Sequence, residues 1–257
     1  MEFIETAFSN RVMTITLADD ERRNALSGGL IREVVACIDE IEHDPDVRVV
    51  VLTNSGSVFC AGANLKEMSK EDAAKPGESV LDVTSLFKRI LNSSKPFVGR
   101  IAGHCIAGGV GLAAALDISV AIETATFGFS EVRVGVAPAM ISVVCLPKMR
   151  LADAKSGFLR GNRFLAAEAV GMGLINKAVA LGDLDGEVTN IVNDLLAGEP
   201  TAIAVAKKLT TTVPTMEMDE AFDWTKEQSA SLFASEAARE GMSAFLEKRT
   251  ATWVKTI

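Results

Sequence analysis

The run Val47-Arg48-Val49-Val50-Val51-Leu52-Thr53 constrains this chain most, because it reads as a buried strand set between segments of helical period. Ahead of it, Val12-Met13-Thr14-Ile15-Thr16-Leu17 alternates apolar residues with Thr, the period of a half-buried strand. Ser27 then offers an N-cap to a helix whose apolar residues are Leu30, Ile31, Val34, Val35, Ile38 and Ile41. Asp44-Pro45-Asp46 ends that helix, which leaves His43 as a solvated C-terminal residue. A further helix fits Val80 to Leu91, and Pro96 opens a strand from Phe97 to Ala102. A short Gly/Ala-rich helix, about Gly108 to Leu116, leads into the strand Ile118 to Ile122. Alternating strands and helices predict an α/β fold built on mostly parallel pairing.

From about Asp183 the pattern turns helical. Val188, Ile191, Val192, Leu195 and Leu196 share one face, and Gly198 with Pro200 closes that helix. Ile203 to Leu209 reads as a second helix, and Asp219 to Lys248 as two more, broken near Ser235. We therefore expect a core over residues 1–195 and a helical C-terminal region over 196–257.

Composition narrows the function classes. The 257 residues carry 26 Lys+Arg against 34 Asp+Glu, a net charge of −8. Such an acidic balance argues against sequence-independent nucleic-acid binding, which needs cations to neutralise phosphates. No apolar run is long enough to span a bilayer, and MEFIETAFSN has neither the basic nor the apolar region of a signal peptide. The expectation is a cytoplasmic protein without a membrane partner. Cys37, Cys60, Cys105 and Cys145 have no CxxC spacing and lie in apolar contexts, as reduced buried thiols do. With only His43 and His104, a histidine-rich metal site is excluded, and His104 reads as a structural residue. Tyrosine is absent and can supply no acid, base or oxyanion donor.

Three segments could carry chemistry. Ser57 to Met68 holds small residues at Ala61-Gly62-Ala63 and leads toward a short helix from near Asn64, so that a ligand can approach backbone N–H donors. Its plain alternative is a strand-to-helix turn. Ala102 to Leu112 contains Gly109-Val110-Gly111-Leu112-Ala113-Ala114, which matches the dinucleotide fingerprint G-x-G-x-x-A only weakly, since the helix after it is short. The other reading is a glycine-rich helix start that aims N–H groups at an anionic oxygen. In Thr126 to Pro138, Glu131 sits among apolar and small residues, where burial would raise its pKa and make it a usable base. An ion pair with Arg133 is the alternative.

Taken together these segments resemble the enoyl-CoA hydratase/isomerase (crotonase) family. The resemblance rests on Arg23-Asn24-Ala25-Leu26, on Phe59 to Met68, on Gly103 followed by Ala107-Gly108-Gly109, on Phe127-Gly128-Phe129-Ser130-Glu131, and on Glu240 to Arg249, in order over essentially the whole chain. It implies a crotonase-like (ClpP/crotonase) spiral of ββα units with a helical C-terminal trimerisation region, a homotrimer or dimer of trimers, and a coenzyme A thioester substrate with no separate cofactor. It also implies that the N–H groups of Ala63 and Gly108 hold the thioester oxygen as it becomes an enolate, with Glu131 as base. Ala61, Gly62 and Leu65 would line the adenine and pantetheine path, with Arg23 and Lys66 near it and Ala25, Asn64 and Ser130 beside it. Met68, Leu81, Leu86, Phe87, Ala139, Met140 and Ile141 would shape the acyl pocket.

One departure decides the expected chemistry. Family hydratases use two glutamates; one matches Glu131, and the other falls on Gly111, which has no side chain. Asn64 replaces an aspartate common after the Ala-Gly-Ala turn. The expected activity is Δ3-Δ2-enoyl-CoA isomerisation with Glu131 as single base. The alternatives are hydration of a 2-enoyl-CoA by Glu131 alone or with a carboxylate from elsewhere, such as Glu67 or Glu123, decarboxylation of a malonyl-type thioester, and a non-catalytic acyl-CoA binder.

Overall fold

The computed structural model describes residues 1–64 and 83–254. Its strands form two sheets. β1 (Ile4–Ser9) and β2 (Val12–Leu17) are an antiparallel pair, followed by β3 (Val49–Asn54), β4 (Val58–Cys60), β5 (Phe97–Ile101), β6 (His104–Ile106), β7 (Ile118–Ile122), β8 (Thr126–Gly128), β9 (Arg163–Leu165) and β10 (Lys177–Val179). The larger sheet has the order β1-β2-β3-β5-β7-β10 and is parallel beyond β2. The smaller has the order β4-β6-β8-β9, with only the β8–β9 pair antiparallel.

Each of β3, β5 and β7 is thus followed by a short strand of the second sheet. Helix α1 (Gly28–His43) joins β2 to β3, α2 (Val83–Asn92) precedes β5, and α3 (Gly108–Ala115) follows β6. A 3₁₀ turn, Ser130–Val134, and α4 (Ala139–Cys145) follow β8. The result is the expected spiral of ββα units.

Local chemistry explains the elements that position the site. Ser27 Oγ accepts the Leu30 N–H at 3.2 Å and caps α1, whose buried face is Leu30, Ile31, Val34, Cys37, Ile38 and Ile41. All six residues of β3 are buried because both of its faces are covered. Val50 and Leu52 join the main core, whereas Val49 and Val51 pack with Val98 and Val120 against Leu184, Val188 and Val192 of α7 (Leu184–Ala197). A parallel strand so enclosed reads as a continuous apolar run rather than an alternating one.

In chain order α5 (Leu151–Arg160) and α6 (Ala166–Met172) precede α7, and α8 (Pro200–Thr212), α9 (Met218–Ala234) and α10 (Glu236–Glu247) follow it. The break at Ser235 is as expected, and its side chain caps α10 by accepting the Ala238 N–H. The second C-terminal helix differs from the expectation, running over Pro200–Thr212 rather than Ile203 to Leu209. Pro200 opens this helix instead of only closing the preceding one. Proline at the first helical position loses an N–H that has no partner there, and Glu199 accepts the Ala202 N–H at 2.7 Å. The helix expected from Val80 runs over Val83–Asn92 within the described residues, and Val80 lies outside them.

Lys207 ties α8 to the core. Its buried ammonium donates to Ile90 O (2.8 Å) and Lys95 O (2.9 Å), pairs with Asp117 Oδ2 at 2.8 Å, and lies 5.1 Å from the Phe97 ring centroid. Asp117 Oδ2 also accepts the Phe97 N–H, so one carboxylate joins β5 to the C-terminal helices. Replacing Lys207 with Met keeps the stem but strands two carbonyls and a carboxylate. The expected loss is about 3 kcal/mol, read calorimetrically as a Tm lower by about 6–10 °C.

Candidate active site

Two backbone segments meet where β4 and β6 end. Leu26 N–H donates to Gly62 O at 2.8 Å and Ala61 N–H to Arg23 O at 3.1 Å, which zips residues 23–26 alongside 61–63. Arg23 and Asn24 both adopt positive φ, and fully buried Asn24 holds the bend. Its Oδ1 accepts the Asp19 N–H at 2.8 Å and its Nδ2 donates to Val58 O at 2.8 Å. Ala25 is buried under this bend, while the Arg23 side chain is exposed.

The parallel bridge between Leu26 and Ala63 leaves the Ala63 N–H without an acceptor among the described residues. The same holds for the Gly108 N–H, which opens α3 and so belongs to its unpaired first turn. The two donors are neighbours. A Cβ added to Gly62 (φ +84°) would lie 2.8 Å from Gly108 N and 2.9 Å from Ile106 O, and one added to Gly108 would lie 3.7 Å from Ala63 N. Glycine at 62 therefore keeps the gap open, a close approach rather than a generic turn. Ala107, just before α3, holds φ 51° and ψ −120°, a conformation L-residues rarely adopt. Its N–H donates to Gly128 O at 2.8 Å, which pins the strained residue to β8. A free N–H at the start of α3 beside a second free N–H at Ala63 can receive an oxygen that gains negative charge.

Glu131 lies on the 3₁₀ turn that follows β8, with Ser130 as its first residue. The turn is anchored by Phe129, fully buried with its ring centroid 4.5 Å from Phe158 and 6.0 Å from Phe164. Gly135 (φ +83°) returns its N–H to Glu131 O and closes the turn. Glu131 Oε2 is buried and has no hydrogen-bond partner among the described residues. Burial raises the Glu131 pKa, opposed only by its own backbone N–H. The ion pair with Arg133 is not formed. Arg133 instead donates from Nε to Gly161 O (2.9 Å) and from Nη2 to Arg160 O (3.0 Å), two carbonyls at the end of α5.

A raised carboxyl pKa has a stability consequence. The unfolded chain ionises at the ordinary carboxylate value and the folded chain at a higher one. Stability therefore falls as pH rises between the two, and ionised Glu131 stays a net cost above them. Glu131→Gln is expected to melt above the wild type at pH 7.5 and to lose that advantage at pH 4, as read by calorimetry.

Gly111, on α3, has no room for a side chain. A Cβ there would collide with Ile141 Cγ2, and would lie 2.8 Å from Ile141 Cβ and 3.1 Å from Phe87 Cζ. Of the other residues expected at the acyl pocket, Leu86, Phe87 and Ile141 are buried and Ala139 and Met140 exposed. Asn64 is half-buried beside Ala63; Leu65, Lys66, Glu67, Met68 and Leu81 lie outside the described residues. His104 is structural, its Nδ1 accepting the Thr126 N–H at 3.0 Å between β6 and β8. The four cysteines are free and buried, with burial pushing Cys60 up to about 12. Among the described residues no group of three or more His, Cys, Asp or Glu could hold a metal ion. The dinucleotide reading fails on geometry, since β6 has three residues and α3 only eight.

Comparison with known proteins supplies the deciding observation. Residues 7–256 match the model of the enoyl-CoA hydratase/isomerase family. The chain belongs to that family. It is 32% identical over 244 residues to enoyl-CoA hydratase EchA19 of Mycobacterium tuberculosis, covering 92% of this chain and 91% of that one. The crystal structure of an enoyl-CoA hydratase from Mycobacterium smegmatis superposes with a TM-score of 0.91 at 30% identity, covering 98% of this chain and 99% of that chain. Pseudomonas aeruginosa AtuE superposes at 0.93 with 28% identity, over 98% of this chain and 100% of that one. At the family level, then, the chemistry is that of an enoyl-CoA hydratase/isomerase acting on an acyl-CoA substrate, in a crotonase-like fold. No helix among the described residues is long and apolar enough to cross a membrane.

Proposed function

We propose that this enoyl-CoA hydratase/isomerase family member shifts a double bond in an enoyl-CoA with Glu131 as its single acid–base group. The reading is carried by Gly111, which has no side chain and where Ile141 and Phe87 crowd the place of an added Cβ. The Glu131 carboxylate removes a C2 proton from a 3-enoyl-CoA. The C–H electron pair moves onto the thioester oxygen, which the Ala63 and Gly108 N–H groups receive as a dienolate. The Glu131 carboxyl then returns the proton to C4, leaving the 2-enoyl-CoA. One base reaches both carbons when the bound chain bends so that C2 and C4 share a face. A carboxyl whose burial raises its pKa is the better base for a weakly acidic C–H.

The acyl-CoA lies, on this reading, along Ala25, Ala61, Gly62, Asn64 and Leu65, with Ser130 near the acyl end and Arg23 and Lys66 toward the phosphates. A trimer or dimer of trimers, with residues 196–257 as the assembling region, is supported by exposed Phe222 and Phe233 on α9 and Phe245 and Leu246 on α10. A cytoplasmic setting completes the proposal.

Hydration of a 2-enoyl-CoA is the second reading, and the names of the relatives favour it over isomerisation, because most are called hydratases. It requires a water-activating group other than position 111. Glu123 is exposed at the end of β7, with its N–H on Val179 O. Mass spectrometry of a 3-enoyl-CoA and, separately, of a 2-enoyl-CoA, each incubated with the protein in D2O, separates the two. A moved double bond in the 3-enoyl-CoA with no added water is the isomerase result, with deuterium at C4 only as far as the proton held by Glu131 exchanges with solvent. Accumulation of 3-hydroxyacyl-CoA from the 2-enoyl-CoA, with the 3-enoyl-CoA unchanged, is the hydratase result and overturns the proposal. Both substrates bound but unchanged point to another acyl class or to a non-catalytic binder.

A further inference from the structure

We infer that Ile141 is a specificity-determining residue that holds this site to one-carboxylate chemistry by crowding the point where a side chain at position 111 would begin. The inference rests on the reading of Glu131 as the single base.

Ile141 and Cys145 are four residues apart on α4 and both buried, so they lie on one face of the helix. At one end of that face Ile141 closes over Gly111 of α3, with the ring of Phe87 from α2 beside it. At the other end Cys145 is buried, its thiol pushed up to about 12 by burial first and then by the charge of Glu131. Gly111 and Ile141 fit as a pair, since any side chain at 111 would force the Ile141 methyl to shift. A water needs polar partners as well as volume, and this corner supplies an isoleucine and a phenylalanine. The absence of the second glutamate is thus not an open vacancy that one substitution refills.

In the chemistry that Ile141 blocks, a carboxylate at 111 would take a proton from water while the water oxygen bonds to C3. The C2–C3 π pair would move to the thioester oxygen, and C2 would then take its proton from Glu131.

The test is a double-mutant cycle read by Tm and by the product formed from a 2-enoyl-CoA in H2¹⁸O. Gly111→Ala alone is expected to lower Tm by about 5–10 °C through overpacking. Adding Ile141→Ala should make the pair lose at least about 5 °C less than the sum of the single losses. Gly111→Glu alone gains no hydration, whereas Gly111→Glu with Ile141→Ala gains at least about 10-fold over wild type, with ¹⁸O at C3. Additive Tm losses, or equal hydration by Gly111→Glu with and without Ile141→Ala, overturn the inference. The alanine pair keeps it testable if the glutamate variants do not fold. Wild-type hydration overturns the isomerase reading but leaves the Tm coupling intact, whereas additive losses leave the wild-type product unchanged.

Discussion

Glu131→Gln is expected to lower kcat for isomerisation of a 3-enoyl-CoA by about 10³- to 10⁴-fold, the share a positioned general base contributes. Glutamine matches the shape of glutamate and loses only the ability to take and return a proton. The N–H groups of Ala63 and Gly108 are backbone donors on other elements, so on the proposed reading the substitution leaves both contacts to the thioester oxygen in place. Affinity for a saturated acyl-CoA is therefore expected to change by less than about 3-fold, because the lost interaction belongs to the transition state. Single-turnover kinetics and a binding titration on the same samples check both halves. Activity within about 10-fold of wild type would remove Glu131 from the reaction. The pH profile is an independent check. The base must be ionised and burial raises its pKa, so the acid limb of kcat is expected above the ordinary carboxylate value, with activity rising with pH through it.

This site was legible to different depths in different places. Glu131 stood out because an acid between Phe129 and Val132 has few reasons to be there, and it does carry an orphaned buried oxygen. The buried strand β3 and the capped helix α1 are equally clear, since a run of six buried residues, or four turns of helical period, is long enough to read. The second sheet was not. Strands β4, β6, β8 and β9 have three residues each, too few for any alternation, yet they set the separation of Gly62 from Gly108. β1 was missed too, and five of its six residues are exposed. The oxyanion donors came from family resemblance, because a backbone N–H leaves no residue-type signature. The contact of Ile141 with Gly111 joins positions 30 apart in the chain and exists only once α3 and α4 pack together. Pro200 was half-read: a proline that ends one helix and begins the next gives the same local signal for both.

Gly109→Ala is expected to be among the most damaging single-methyl additions at the described glycines. The added carbon would collide with Cys60 O and lie 2.8 Å from Cys60 C and 3.0 Å from its Cβ. A flexible side chain could swing aside, but a strand carbonyl cannot. Cys60 is held in β4 by its pairing with Cys105 of β6 and lies in the fully buried core. Either α3 or β4 must move, and each carries one of the two N–H donors a few residues away: Gly108 precedes the substituted residue, and Ala63 follows Cys60. Stability and catalysis are thus coupled through one contact. The overpacking is expected to exceed about 3 kcal/mol, a Tm loss of about 10 °C or more. In any protein that still folds, kcat should fall by about 10²-fold or more as the donors separate. Gly171→Ala is the matched control. It is an exposed position inside α6 with nothing within 4 Å of an added Cβ. There the methyl should be neutral or stabilise the helix by about 0.5–1 kcal/mol, with kcat unchanged. If both alanine variants melt and turn over alike, the close approach of α3 to β4 is not what holds the oxyanion donors together.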